Sequence, residues 1–142
     1  MTGVAIAGAA ESDLGITGES VLTLQAQAVT RALADAGLVL SDVDGLATCG
    51  VSRFSATQVA DYLGLRPVWT ESTFAGGCAF EMYVARAAQA IEAGQCRTVV
   101  ISYASNQRSA RSRSLAGVVE EHTPEALFEA PYGPLYPFSY YA

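Results

Sequence analysis

The sequence predicts an α/β protein, a mostly parallel sheet with helices on both faces. Three observations point there. Apolar strand-like runs alternate with helical stretches in the order β-α-β-α-β-α-β over about the first hundred residues, a pattern that implies right-handed crossovers. Each helical stretch runs into a glycine able to close it. The last run, Thr98-Val99-Val100-Ile101, is a short β-branched segment of the kind found in buried parallel strands.

In order along the chain, Val4 to Ala10 is apolar and runs into Glu11-Ser12-Asp13, reading as a buried strand that ends in a loop. A helix begins near Ser20, places Val21, Leu24, Ala28, Ala32 and Leu33 on one face, and ends at Ala36-Gly37. Ser41 to Asp44 turns the chain into a second strand, Gly45 to Cys49. Ser55 to Leu63 is a short helix stopped by Gly64, and Pro67 to Thr73 a third strand. Ala79 to Ala93 is the strongest helix, rich in alanine and ended by Gly94. Small and apolar residues lie all round it, which predicts burial on most of its surface. With the strand within Arg97 to Ala104, the sheet has at least four strands.

Past Ala104 the periodicity stops. The expected organisation is a βαβαβαβ core over 1–104 and an irregular region over 105–142, which holds four of the five prolines and an aromatic ending, Tyr136-Pro137-Phe138-Ser139-Tyr140-Tyr141. Hydrophobic residues make up 51% and charged residues only 15% of the chain. So little charge over so much apolar surface predicts self-association or a longer protein. Residues 105–142 are accordingly expected to pack little against the rest of the chain.

Composition also excludes function classes. No apolar run approaches the roughly 18 residues of a membrane span. Met1 to Ala10 lacks a basic residue, so no targeting peptide is expected and a cytoplasmic location is. The net charge of −6 opposes nucleic acid. The three cysteines, Cys49, Cys78 and Cys96, form no CxxC pair, and with a single histidine, His122, no metal site is expected. There is no lysine and hence no P-loop, and neither a GxGxxG nor a GxSxG pattern occurs.

Against this background several segments resemble the first half of the thiolase superfamily, in particular its lipid-transfer-protein branch of the sterol-carrier-protein-x type. They are Val4-Ala5-Ile6-Ala7-Gly8-Ala9, the helix end Ala32-Leu33-Ala34-Asp35-Ala36-Gly37-Leu38 and the turn Val43-Asp44-Gly45-Leu46. Thr73-Phe74-Ala75-Gly76-Gly77-Cys78-Ala79, with the helix after it, is similar to the family's nucleophile turn, and Ala130-Pro131-Tyr132-Gly133-Pro134 to a loop of that branch. The resemblance implies one incomplete half of a five-layered αβαβα fold, with the active site between two such halves. It implies an enzyme that makes or breaks a carbon–carbon bond next to the CoA thioester of a lipid or steroid. Coenzyme A would enter as part of the substrate, with no tightly bound cofactor. A homodimer and an OB-fold partner protein of the DUF35 type are the implied partners.

Cys78 is the residue-level candidate for a nucleophile, because it stands where a strand gives way to a helix N-terminus, which favours a thiolate. In the family pattern, however, the cysteine falls on Gly77. A shift of one residue turns a side chain by about 100° around the helix. The expectation is therefore that Cys78 is buried and not catalytic, and that cleavage is a cysteine-free retro-aldol reaction served by a general base elsewhere. Thiolytic acyl transfer through Cys78 is the alternative. A non-catalytic scaffold or acyl-binding subunit is the alternative of another class. Arg108, Arg111 and Arg113 have the chemistry to meet the phosphates of CoA, or else form a solvated loop or a subunit contact. His122, Cys49 and Cys96 read as a solvated loop residue, a core residue and a partly exposed residue.

Overall fold

The computed structural model describes residues 3–109 and Tyr132. The chain divides into two units, Met1–Ser109 and Ala110–Ala142, and the fold that follows is that of the first. Its helices are α1 (Val21–Asp35), α2 (Ser55–Leu63) and α3 (Ala79–Glu92), and its strands β1 (Gly45–Thr48), β2 (Trp69–Glu71) and β3 (Val99–Ser102). Single 3-10 turns occupy Leu40–Asp42 and Gly76–Cys78.

Local signals set the helix ends. Ser20 caps α1 by accepting the Thr23 N–H at 3.1 Å. At the other end Gly37 takes φ 69°, which lets Leu38 N–H reach the Leu33 carbonyl at 2.8 Å and Gly37 N–H reach Ala34 at 3.1 Å. The same pair of closing bonds ends α2 at Gly64 and α3 at Gly94.

Among the described residues the sheet has three strands, all parallel, in the order β2-β1-β3. The fourth expected strand, Val4 to Ala10, is not in it: this segment has no regular secondary structure, is largely exposed and lies against the end of α1. Gly8 explains the placement, since a Cβ there would stand 2.4 Å from the Ala32 carbonyl oxygen and 2.9 Å from the Ala36 nitrogen. The Ala9 N–H, which a strand would give to a neighbouring strand, goes to the Asp35 carboxylate at 3.1 Å.

Successive β1 residues divide the core. Leu46 packs with Val29 and Leu33 of α1 and Val59 and Ala60 of α2. Ala47 packs on the opposite face with Ala79 and Tyr83 of α3. Helices thus cover both faces. The burial of α3 is narrower than its composition predicts: Ala79, Tyr83, Ala87 and Ala90 form one buried stripe, while Val84, Ala85 and Arg86 are exposed. Small residues all round permit burial on every side, but only neighbours that are present can impose it.

The strand starts are tied together by Asp44. Its carboxylate accepts the Arg97 and Thr98 N–H groups at 2.9 and 2.8 Å, and its carbonyl accepts Val68 N–H at 2.8 Å. After β3, Ser109 Oγ accepts the Thr17 and Gly18 N–H groups, both at 3.1 Å, so residues up to 109 do bond to the loop before α1. Of the rest of the expected irregular region only Tyr132 is described, and it is exposed; the other residues lie outside the described ones.

Candidate active site

Because β1 pairs with β2 on one side and β3 on the other, the connections after β1 and β2 depart in opposite directions. In open α/β sheets the crevice beyond the carboxyl ends of the strands at such a point is where ligands bind. Here that edge carries Glu71 at the end of β2 and Thr73 beyond it, Thr48 ending β1 with Cys49 next, Ser102 ending β3 with Tyr103 next, and the N-terminus of α3.

The path from β2 into α3 is held at Thr73. Its N–H donates to Glu71 Oε1 at 2.8 Å, its hydroxyl lies 3.4 Å from Arg86 Nη1, and its carbonyl accepts the Tyr83 hydroxyl at 2.9 Å. Arg86 also pairs with the Glu71 carboxylate. Burial alone would raise the Glu71 pKa. The Thr73 hydroxyl and N–H, with the Arg86 guanidinium, outweigh it and hold the carboxyl at about 2. Tyr83 is fully buried, and burial, with the Cys49 thiol beside its hydroxyl, pushes its pKa well above the ordinary phenol value. It stands in the core as a neutral donor.

Cys78 is exposed, which corrects the expectation of burial. Gly76, at φ 70°, starts a 3-10 turn, and α3 begins its buried stripe one residue later, at Ala79. The one-residue offset therefore turns Cys78 outward instead of into the packing. Its thiol donates to the Ala75 carbonyl at 3.1 Å. At Gly77 an added Cβ would meet no atom within 4 Å, so the position where the family's cysteine falls is open space.

Of the other candidates, Arg108 is exposed, and Arg111, Arg113 and His122 lie outside the described residues. Cys49 is buried, as a core residue should be. Cys96 is buried as well, against the expected partial exposure, because the turn after α3 folds it under β1 near Gly45. Burial, reinforced by the Asp44 charge, raises its pKa.

Glu71, Thr73, Tyr83 and Arg86 were not singled out by the sequence. The one local signal was a tyrosine and an arginine three apart on a helix, which places them on neighbouring positions of one surface. A second polar group sits on the α1 side, where Gln25, fully buried, donates to the Thr48 hydroxyl at 3.0 Å. Gln25 Oε1 and the Ser102 hydroxyl are buried there without a partner. Among the described residues no cluster of three or more His, Cys, Asp or Glu could hold a metal ion, and no helix is long and apolar enough to cross a membrane.

No family model matches the chain. It is 39% identical over 95 residues to a steroid side-chain-cleaving aldolase of Thermomonospora curvata, covering 66% of this chain and 24% of that protein. It is equally identical, over the same length, to a 17-hydroxy-3-oxo-4-pregnene-20-carboxyl-CoA lyase of Mycobacterium tuberculosis. The chain spans about a quarter of the length of these curated relatives. Among solved structures it is similar to an Ltp2-ChsH2(DUF35) aldolase, with TM-score 0.77 and 33% identity over 97% of this chain and 35% of that one. It also resembles a monomeric SCP2-thiolase-like protein of Mycobacterium smegmatis, with TM-score 0.57 and 23% identity over 68% of this chain and 22% of that one. The chain has the thiolase-like α/β fold, with the turn at Gly76-Gly77-Cys78 standing at the carboxyl edge of its sheet.

Proposed function

We propose that this chain belongs to an enzyme that cleaves a carbon–carbon bond next to the CoA thioester of a steroid or lipid side chain, by a retro-aldol reaction without a cysteine nucleophile. The observation that carries this reading is the likeness, over 97% of the chain at 33% identity, to a structure described as an aldolase. The names of the two sequence relatives point to the same reaction class.

In such a reaction a base removes the proton of a hydroxyl group β to the thioester carbonyl. The bond between the α and β carbons breaks, the β carbon becomes a ketone or aldehyde, and the electron pair passes to the thioester as an enolate. Protonation of the enolate releases the shortened acyl-CoA. The chemistry asks for hydrogen-bond donors at the enolate oxygen, and the amides of the turn before α3, with the positive end of the α3 dipole, are of that kind. Glu71 is paired with Arg86 and held as a carboxylate, and Tyr83 is buried and held as a phenol. Neither is poised to take a proton, so neither serves as the general base.

In this reading CoA is part of the substrate, Arg108, Arg111 and Arg113 contact its phosphates, and the protein works in the cytoplasm as a homodimer with an OB-fold partner of the DUF35 type. The exposure of Cys78 favours a second reading, thiolytic acyl transfer. The two separate on one experiment. In the complete protein, Cys78→Ala should retain product release from a β-hydroxyacyl-CoA steroid within about threefold of wild type, whereas loss of a true nucleophile costs several orders of magnitude. A collapse of that size in a folded variant supports acyl transfer instead. A wild-type protein that releases no ketone or aldehyde from such a thioester defeats the retro-aldol reading.

A further inference from the structure

We propose that Tyr83 is a positioning residue that fixes the turn 72–78, and with it the amides at the N-terminus of α3, through its hydrogen bond to the Thr73 carbonyl. The inference rests on the reaction proposed above, which places chemistry at that turn.

Residues 72–78 are all exposed, between Glu71 at the end of β2 and the fully buried Ala79. Within this span the side chains supply almost no anchorage. Phe74 is 74% exposed, and Gly76 and Gly77 stand in open space. The span is fastened to the fold at Thr73, and each of its polar groups is used there. The N–H goes to Glu71, the hydroxyl faces Arg86, and the carbonyl takes the Tyr83 hydroxyl at 2.9 Å.

Tyr83 is the fastener that cannot drift. It is 0% exposed, and its ring meets Phe80 edge to face at 5.6 Å. Its raised pKa keeps the donor proton in place at any working pH. Tyr83 and Arg86 both belong to α3, so the helix that offers its N-terminus also carries the groups that set the approach to it. A displacement of about 1 Å in such a turn is enough to cost up to a hundredfold in rate when donors must meet a developing charge.

The test is Tyr83→Phe in the complete protein, which keeps the ring and removes the donor. Amide exchange across 73–78 should rise about tenfold, the equivalent of one lost hydrogen bond. The kcat should fall about tenfold, with KM within about threefold, because the turn is asked to act in the transition state. Unchanged exchange at 73–78, or faster exchange there with kcat unchanged, overturns the proposal. So does a uniform rise over α1 and β1, since that reports loss of stability alone. Should Tyr83→Phe fail to fold, Arg86→Gln loosens the same residue from an exposed position, with the same expected outcomes and with recovery in Arg86→Lys. Wild-type turnover alone judges the proposed reaction. Local exchange at 73–78 judges the fastening, so the two failures cannot be confused.

Discussion

Gly76 and Gly77 are neighbours in one turn, yet alanine at each has opposite consequences. Gly76 holds φ 70°, and a side chain there costs about 1–2 kcal/mol. Gly77 has no positive φ and open space beyond it, so alanine restricts the unfolded chain and should be neutral or stabilising by up to about 1 kcal/mol. Urea unfolding of the two variants reads the difference directly. Glu71 adds a dependence on pH. Its carboxyl is held at about 2 in the fold against an ordinary 4.5, so its contribution is present above about 4.5 and is lost as pH falls towards 2. Glu71→Gln should therefore be less stable than wild type at pH 6, and the gap should close as the medium approaches pH 2. The chemical kinds in this turn were legible in the sequence, but their directions were not. Whether Cys78 faces in or out depends on the Gly76 conformation, and the meeting of Glu71, Thr73, Tyr83 and Arg86 depends on how α3 returns over the sheet.

Helices proved far more legible than strands, because their ends are written locally. Ser20, Gly37, Gly64 and Gly94 each act within a few residues of themselves, and the observed ends fall at or next to those expected. Ser20→Ala should cost about 1 kcal/mol by removing the acceptor for Thr23 N–H, readable as a shift in the urea midpoint with the slope unchanged. A strand depends on distant partners. Val4 to Ala10 has the apolar run of a buried strand, but its Ala9 N–H is taken by Asp35. The strand expected over Pro67 to Thr73 is only Trp69–Glu71 long, because Val68 N–H turns to the Asp44 carbonyl and Thr73 N–H turns back to the Glu71 side chain. No composition rule separates such runs from paired strands.

At the scale of the whole fold, the alternation of strands and helices was sufficient to give the parallel sheet and its two helical layers. It did not give the number of strands or the exposed outer surface of α3, which depend on what else lies beside them. The arrangement around Asp44 also governs the order in which the fold can assemble. β1 must wait for β3, whose entry at Thr98 lies 54 residues further on, before the Asp44 carboxylate can be satisfied. Closing so long a loop costs entropy that grows only as the logarithm of its length, but it is paid before the contact is made. β1-α2-β2 can form early from nearby residues, and docking of α3 and β3 is then the late step. Asp44→Asn weakens the acceptor for the Arg97 and Thr98 amides, contacts that belong to that late step. Stopped-flow refolding should show unfolding accelerated several-fold with the refolding rate nearly unchanged, as expected for contacts absent from the transition state. A refolding rate that drops by the full loss of stability would place the closure of β1 on β3 in the nucleus instead. The carboxylate at the start of the central strand would then act as a clock for the fold.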